Sequence, residues 1–260
     1  MADRAPPGGY TLTRDYLRSG ALSDFIRRNN PAMRMLSDVE RRDNLDAILA
    51  ARPERGQGVK VFAYGSLIWN PAIHITARHI ARVQGWRRDF CLATQGGRGT
   101  AENPGMLLGL QQGDDCVGAV LHVAEHAIEE ELDILWRREM VADGYIPRWV
   151  KVESPDGAAL GHAIAFTINP EGPSYCGPMP EADLVHRLAT ARGALGSAAE
   201  YLFNTRDGLR ALGIIDPLLE RLAMQVTALQ ASLESTSDRR VDTRPTGKRV
   251  SAQTPGTGIA

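Results

Sequence analysis

Two groups of residues in this sequence have types and spacing that could do chemistry on one small molecule. The first lies in Val59-Lys60-Val61-Phe62-Ala63-Tyr64-Gly65-Ser66-Leu67-Ile68-Trp69-Asn70-Pro71. Val59, Val61 and Ala63 alternate with Lys60, Phe62 and Tyr64, and β-branched and aromatic types dominate, which predicts a strand. Gly65 then allows backbone angles that other residues avoid, Ser66 brings a small hydroxyl, and Asn70-Pro71 closes the segment as a turn. A strand that runs into a Gly-Ser loop can present several backbone N–H groups to one anion, so the loop is a candidate cradle for a carboxylate or phosphate. Many strands end in Gly-Ser and hold nothing, so the cradle needs a partner able to act on what it holds.

Glu139 is the second candidate. The spacing predicts a helix over 125–138, with Ile128, Leu132 and Leu135 on one apolar stripe. Glu139 is the next position on that stripe, while Glu129, Glu130, Asp133, Arg137 and Arg138 fall elsewhere. If the helix reaches that far, the carboxylate points inward, where desolvation raises its pKa and suits it to accept a proton near neutral pH. The more ordinary alternative stays open on these residues alone: Glu139 frays off the helix end or pairs with an arginine such as Arg138.

Other chemistry-bearing residues carry less. His122-Val123-Ala124-Glu125-His126 matches the H-x-x-E-H pattern of inverted zinc peptidases, which needs both histidines on one helix. Here His122 ends a strand-like run and His126 starts a helix, so the pair is read as a chance match and no metal site is expected. Cys91, Cys116 and Cys176 are odd in number and widely spaced, with no C-x-x-C, which suits a reducing compartment. Cys176 has no neighbouring His or Lys to activate it and is read as structural. Gly96-Gly97-Arg98-Gly99 lacks the βαβ setting of a dinucleotide fingerprint. Arg87 and Arg88 could attract a substrate carboxylate or lie on a strand surface.

These residues need a scaffold. The 260 residues suffice for one large domain or two small ones. Hydrophobic residues make up 43%, charged residues 23%, and the formal net charge is −1, so no global field argues for nucleic acid or an anionic membrane. The apolar runs are too short to span a bilayer, and 1–9 lacks a signal-peptide core, so a cytoplasmic protein with a small-molecule partner is expected. Residues 1–58 read as a partly helical N-terminal extension carrying no chemistry. It comprises a loose lead-in over 1–11, a weakly helical pattern over 12–30, and a capping box at Ser37-Asp38-Val39-Glu40 opening a helix over 38–51 on Val39, Leu45, Ile48 and Leu49. The main domain, 59–233, then shows short strands at 80–83, 90–93, 106–111, 116–123, 145–152 and 160–168. Gly113-Asp114-Asp115 reads as a hairpin turn. Helices follow over 181–192, 197–212 and 216–233, and 234–260 has the composition of a disordered tail. This is an α+β pattern, a small mixed β-barrel with flanking helices, a helical N-terminal extension and a helical C-terminal part.

The stretch 61–71 closely resembles the signature of the ChaC-type γ-glutamylcyclotransferases. The resemblance continues through Gly85-Trp86-Arg87-Arg88-Asp89-Phe90, Arg137-Arg138-Glu139, Asp143-Gly144-Tyr145, Tyr175-Cys176-Gly177-Pro178 and Ala191-Arg192-Gly193, in order over roughly 59–222. It implies a small β-barrel and an intramolecular reaction. The free amine of a γ-glutamyl group attacks its own γ-carbonyl and releases 5-oxoproline; in the ChaC branch the substrate is glutathione and the second product Cys-Gly. By the same resemblance, Ala63, Tyr64, Gly65, Ser66, Leu67 and Ile68 hold the γ-glutamyl group, Glu139 is the catalytic base and Tyr175 a ligand. The substrate attacks itself, so no cofactor, metal or covalent nucleophile is needed. The chain departs from the pattern at Ala63, where the branch usually has glycine, at the single glycine of Asp143-Gly144-Tyr145, and near Arg98 and Glu102. Alternatives therefore remain: a cyclotransferase for other γ-glutamyl amines or amino acids, a γ-glutamyl-binding protein without turnover, and a zinc peptidase.

Overall fold

The computed structural model describes residues 12–242, with side chains to residue 236. Three helices come first. The Thr13 side chain opens α1 (Arg14–Arg18) by accepting from the Tyr16 N–H, and α2 (Ala21–Asn29) follows. The Ser37–Glu40 capping box forms as expected and starts α3 (Asp38–Ala50). Val39, expected on the apolar stripe of α3, is instead 68% exposed; Arg41 takes the inner position, donating to the Leu36 carbonyl and to Asp38.

Five strands then close a barrel in the order β1-β3-β2-β4-β5. They are β1 (Val59–Ala63), β2 (Ala77–Thr94), β3 (Gly105–Val123), β4 (Tyr145–Glu153) and β5 (Ala159–Ile168). β1 runs antiparallel to β3 and parallel to β5. Val61, Phe62 and Ala63 are all fully buried, because both faces of β1 are covered, and the alternation in its sequence does not separate an inner from an outer face.

β2 and β3 correct the expectation of several short strands and a Gly113 hairpin. Each is one long strand, and they pair with each other along nearly their whole lengths. Gly113-Asp114-Asp115 does not turn the chain. It lies opposite Gly85, where the register shifts between Gln84 and Trp86 and Gly85 adopts φ 76°. Two polar breaks that look like turns in sequence are the two sides of one bulge. The real turn is the loop 95–104, which carries Gly96-Gly97-Arg98-Gly99.

Between β3 and β4 lies α4 (Ile128–Glu139). Its Leu132, Ile134, Leu135 and Trp136 are buried, and Trp136 packs edge-on to Phe166 of β5 at 5.2 Å. Trp136 Nε1 donates to Asn44 of α3 at 2.8 Å, so α4 is held between the barrel and the N-terminal helices. α5 (Glu181–Thr190), a small hairpin of β6 (Arg192–Gly193) and β7 (Gly196–Ser197), and α6 (Ala198–Ala211) follow, with α6 opened by a second capping box at Ser197 and Glu200. The last helix, α7 (Pro217–Asp242), runs past the expected boundary at 233, so the first part of the expected tail is helical. The rest of that tail, 243–260, and the lead-in 1–11 lie outside the described residues.

Candidate active site

The loop after β1 is shaped by close packing. Tyr64 donates its hydroxyl to the Phe166 carbonyl at 2.6 Å. A Cβ on Gly65 would stand 3.0 Å from the Tyr201 hydroxyl, so a side chain there would have to push that hydroxyl back by a few tenths of an ångström. Ser66–Ile68 form a 3₁₀ turn, with Ile68 N bonded to Gly65 O and Asn70 N to Ser66 O. The N–H groups that open such a turn have no carbonyl of the turn behind them and remain available.

α4 ends at Glu139, so the side chain leaves the last turn of the helix with 13% of its area exposed. It faces the same loop. Tyr64, Gly65, Ser66, Leu67 and Glu139 border a deep recess of about 20 Å³. Ser66, Glu139, Tyr145 and Tyr201 also border a larger cavity of about 270 Å³ that leads outward. Both readings of Glu139 hold together: it points into the cavity and it pairs with Arg138. Arg138 Nε stands 2.9 Å from Glu139 Oε1, but out of line for a hydrogen bond, so Oε1 is buried beside a cation with no aligned donor. Burial pushes the Glu139 pKa up, and Arg138 opposes that shift. Arg138 itself is buried, donating to Ser66 Oγ at 2.7 Å and to the Asn70 carbonyl. One guanidinium therefore ties the loop to the carboxylate. Sequence spacing, which set Arg138 off the inward stripe, gives no signal of this.

Two further tyrosines complete the inner end, neither among the residues expected there. Tyr145 donates to the Leu108 carbonyl at 2.9 Å, while the Tyr201 hydroxyl accepts from Leu108 N at 3.4 Å. Burial raises all three tyrosine pKa values, well above the usual range for Tyr64 and Tyr145 and to about 12 for Tyr201. All stay neutral near pH 7. Tyr64 and Tyr145 have committed their protons, whereas the Tyr201 O–H has no acceptor among the described residues. Tyr145 lies in a motif that the sequence displays; Tyr201 sits on α6 with only the Ser197 capping box to mark its helix.

The remaining expected residues lie elsewhere. Ala63 is buried against Ala119 of β3, and Ile68 packs against Gly208 of α6, so both stand behind the loop. Tyr175, expected as a ligand, borders neither cavity. It bridges to Leu92 and packs with Leu92 and Ile168, its hydroxyl 3.5 Å from Gln111 Oε1. Arg88 is committed to Asp216 at 2.8 Å and to the Val117 carbonyl, and Arg87 reaches towards Asp89. His122 is on β3 against His79 and His126 in the turn before α4, on different elements. The extension, expected to carry no chemistry, supplies Leu22, Ile26, Asn29 and Met33 to the outer cavity. It is fastened by the Arg14–Glu131 ion pair, by Asn70 Nδ2 donating to Leu12 O, and by Leu36 N donating to Val141 O.

A closed mixed barrel, a helix-end carboxylate and a Gly-Ser loop sharing one recess define the class to which comparison with known proteins also leads. Residues 59–229 match the family model described as ChaC-like protein, and the chain belongs to that family. It is 36% identical over 220 residues to the glutathione-specific γ-glutamylcyclotransferase of Escherichia coli (strain K12), covering 85% of this chain and 94% of that protein. It is 30% identical over 173 residues to glutathione-specific γ-glutamylcyclotransferase 1 of Mus musculus, covering 63% and 77%. A crystal structure of a γ-glutamyl cyclotransferase specific to glutathione from yeast superposes with TM-score 0.60 at 22% identity, covering 66% of this chain and 97% of that one. This last likeness bears on the fold. Among the described residues, no helix is long and apolar enough to cross a membrane.

Proposed function

We propose that this chain is a glutathione-specific γ-glutamylcyclotransferase, releasing 5-oxoproline and Cys-Gly. One observation carries the reading: Glu139, with a raised pKa and an unaligned Oε1, borders the same recess as the Gly65–Ser66 backbone. The relatives' activity supports it.

The reaction needs one base and one folded substrate. Glu139 takes a proton from the α-ammonium, and the freed amine attacks the γ-carbonyl carbon. The carbonyl electron pair moves to oxygen, where backbone N–H groups of the loop and the uncommitted Tyr201 O–H can receive the charge. Collapse breaks the amide C–N bond as the departing nitrogen takes the first proton from Glu139. The second proton, lost by the ring nitrogen as it becomes an amide, passes through Glu139 to the same amine. That amine leaves as an ammonium, and Glu139 ends as it began. The rate comes from holding amine and carbonyl in a near-attack geometry, which a narrow recess beside a fixed base is built to do. Tyr64, Gly65, Ser66 and Leu67 hold the γ-glutamyl group, with Ala63 and Ile68 shaping the loop from behind and Tyr175 backing Leu92. We assign catalysis to 59–233, with a small-molecule substrate and a cytoplasmic setting. The near-zero net charge is in keeping with no nucleic-acid or membrane partner.

The test is direct. Purified protein incubated with glutathione is expected to release equimolar 5-oxoproline and Cys-Gly, and γ-glutamyl amino acids much less. No 5-oxoproline from any of them would refute the enzymatic reading.

A further inference from the structure

Two arginines border the larger cavity, and their donors are spent differently. Arg138 is committed to Ser66, Asn70 and Glu139. Arg98 is not. Its Nη1 donates to the Ser197 carbonyl at 2.9 Å, and its approach to Glu200, at 3.6 Å, is too long for a hydrogen bond. Among the described residues, its other guanidinium N–H groups have no hydrogen-bond partner. The side chain is only 13% exposed and lies over the Trp69 and Tyr201 rings, with its central carbon 5.9 and 5.5 Å from their centroids. A guanidinium kept out of bulk water, held near two rings set at 75° to each other and left with free donors is arranged to receive a planar anion in a fork.

Its backbone is fixed as well. Leu195 N donates to Gly97 O at 2.7 Å, and a Cβ on Gly193 would stand 2.4 Å from that same oxygen. A Cβ on Gly99 or on Gly105 would meet the backbone of the other segment at 2.0 and 2.2 Å. The loop is therefore packed into place before any ligand arrives, which lowers the cost of binding.

We propose that Arg98 reads the terminal carboxylate of the leaving peptide, so that the site selects γ-glutamyl peptides ending in a free carboxylate over γ-glutamyl amines and amides. This rests on the cyclotransferase reading given above. Tyr201 supplies the direction. Its hydroxyl faces Gly65 and Leu108 at the inner end, while its ring face carries Arg98, so Arg98 stands outward of the reacting atoms by the depth of that ring. Arg98 does not border the inner recess, where the γ-carbonyl and α-amine must meet. A two-residue leaving group spans about 7 Å when extended, enough to carry a carboxylate outward from the scissile bond.

The experiment compares glutathione with its C-terminal amide, γ-glutamyl-cysteinyl-glycinamide, in the wild-type protein and in Arg98→Gln and Arg98→Lys. The wild type is expected to prefer glutathione by about 30- to 100-fold in kcat/KM, mostly through KM. In Arg98→Gln the ratio of the two substrates is expected to fall to within about threefold of one, and Arg98→Lys to retain part of it. Equal use of both substrates by the wild type would overturn the proposal whatever the variants do. So would an equal loss on both substrates in Arg98→Gln, which would mean that Arg98 meets the γ-glutamyl carboxylate instead. Should Arg98→Gln fail to fold, the wild-type ratio alone decides. Absence of 5-oxoproline from either substrate in the wild type strikes the cyclotransferase reading itself, an outcome distinct from the others.

Discussion

At the inner end of the cavity the polar groups are mostly tied to one another; at the outer end apolar side chains and one guanidinium with donors to spare, Arg98, face the open volume. The inner end draws on the loop after β1 and on β3, α4, β4, β5 and α6, all within the 59–229 family match. The outer end takes Leu22, Ile26 and Met33 from the N-terminal extension, which precedes that match. The yeast structure is matched over 97% of its length by 66% of this chain, so about a third of this chain has no counterpart there. The inner end is over-determined, as proton transfer at fixed distance requires, while the outer end takes part of its wall from residues that precede the family match. Substitutions at the inner end should lower kcat, and substitutions at the outer end should mainly raise KM.

Glu139→Gln gives the largest effect. It keeps the shape and removes the base, so kcat should fall by about 10³-fold or more. Thermal unfolding should stay within a few degrees of wild type, because a poorly aligned buried carboxylate contributes little to stability. Stopped assays for 5-oxoproline with parallel melting curves check both, and residual activity above a tenth of wild type would remove Glu139 from its role. Gly65→Ala comes next. Its new methyl must push the Tyr201 hydroxyl from 3.0 Å, shifting the loop and a candidate oxyanion donor together, and about a 100-fold loss in kcat is expected.

The ranking of these two effects matches what could be read from sequence. Helical periodicity places Glu139 on the inward stripe but leaves open whether it frays or pairs with Arg138, and only the family resemblance singles it out as a base; the helix does reach it. The loop was legible because strand, glycine and turn are consecutive. Tyr201 was not, since its position in the site depends on α6 crossing the end of the barrel, a packing decision with no local signature. Tyr175 attracted attention by belonging to a motif, yet it packs one layer behind the cavity. The long β2–β3 ribbon reads in sequence as several short strands because its bulge sets Gly85 on one strand opposite Gly113-Asp114-Asp115 on the other, and each break has the composition of a turn. The cavity wall from α2 was hidden for a related reason: an apolar helix face shows that it packs, not against what.

The pH dependence sharpens the comparison at its hinge, Arg138. Burial raises the Glu139 pKa and Arg138 restrains it, so the base is lost as pH falls through that raised value. The acid limb of kcat/KM should therefore lie above the ordinary carboxylate range. In Arg138→Met the restraint is gone and the limb should move to higher pH. Activity at the optimum should drop about tenfold, because Ser66 and Asn70 lose their tie. A limb that stays put or moves down would show that Arg138 does not act on Glu139.

The smallest effect tests whether the outer wall acts through its fastening. Glu131 is almost fully buried on α4 and holds Arg14 of the extension, the His74 N–H and the His74 ring. Burial alone would raise its pKa, but Arg14 and the His74 N–H bring it below the ordinary value. A folded pKa below the unfolded one gives stability that is present above the unfolded value, about 4.3, and is lost as pH falls through the folded one. Arg14→Met strands the carboxylate, so it should cost about 2 kcal/mol at pH 7 and lower the melting temperature by about 4–8 °C. That difference from wild type should shrink below about pH 4, where Glu131 no longer needs a partner. In turnover, loosening α1 and α2 should raise KM for glutathione about two- to fivefold and leave kcat within twofold, since Arg138, Glu139 and the 63–68 loop are untouched. A fall in kcat with KM unchanged would mean that the N-terminal helices support the base rather than the wall, and that the cavity's two ends are one mechanical unit.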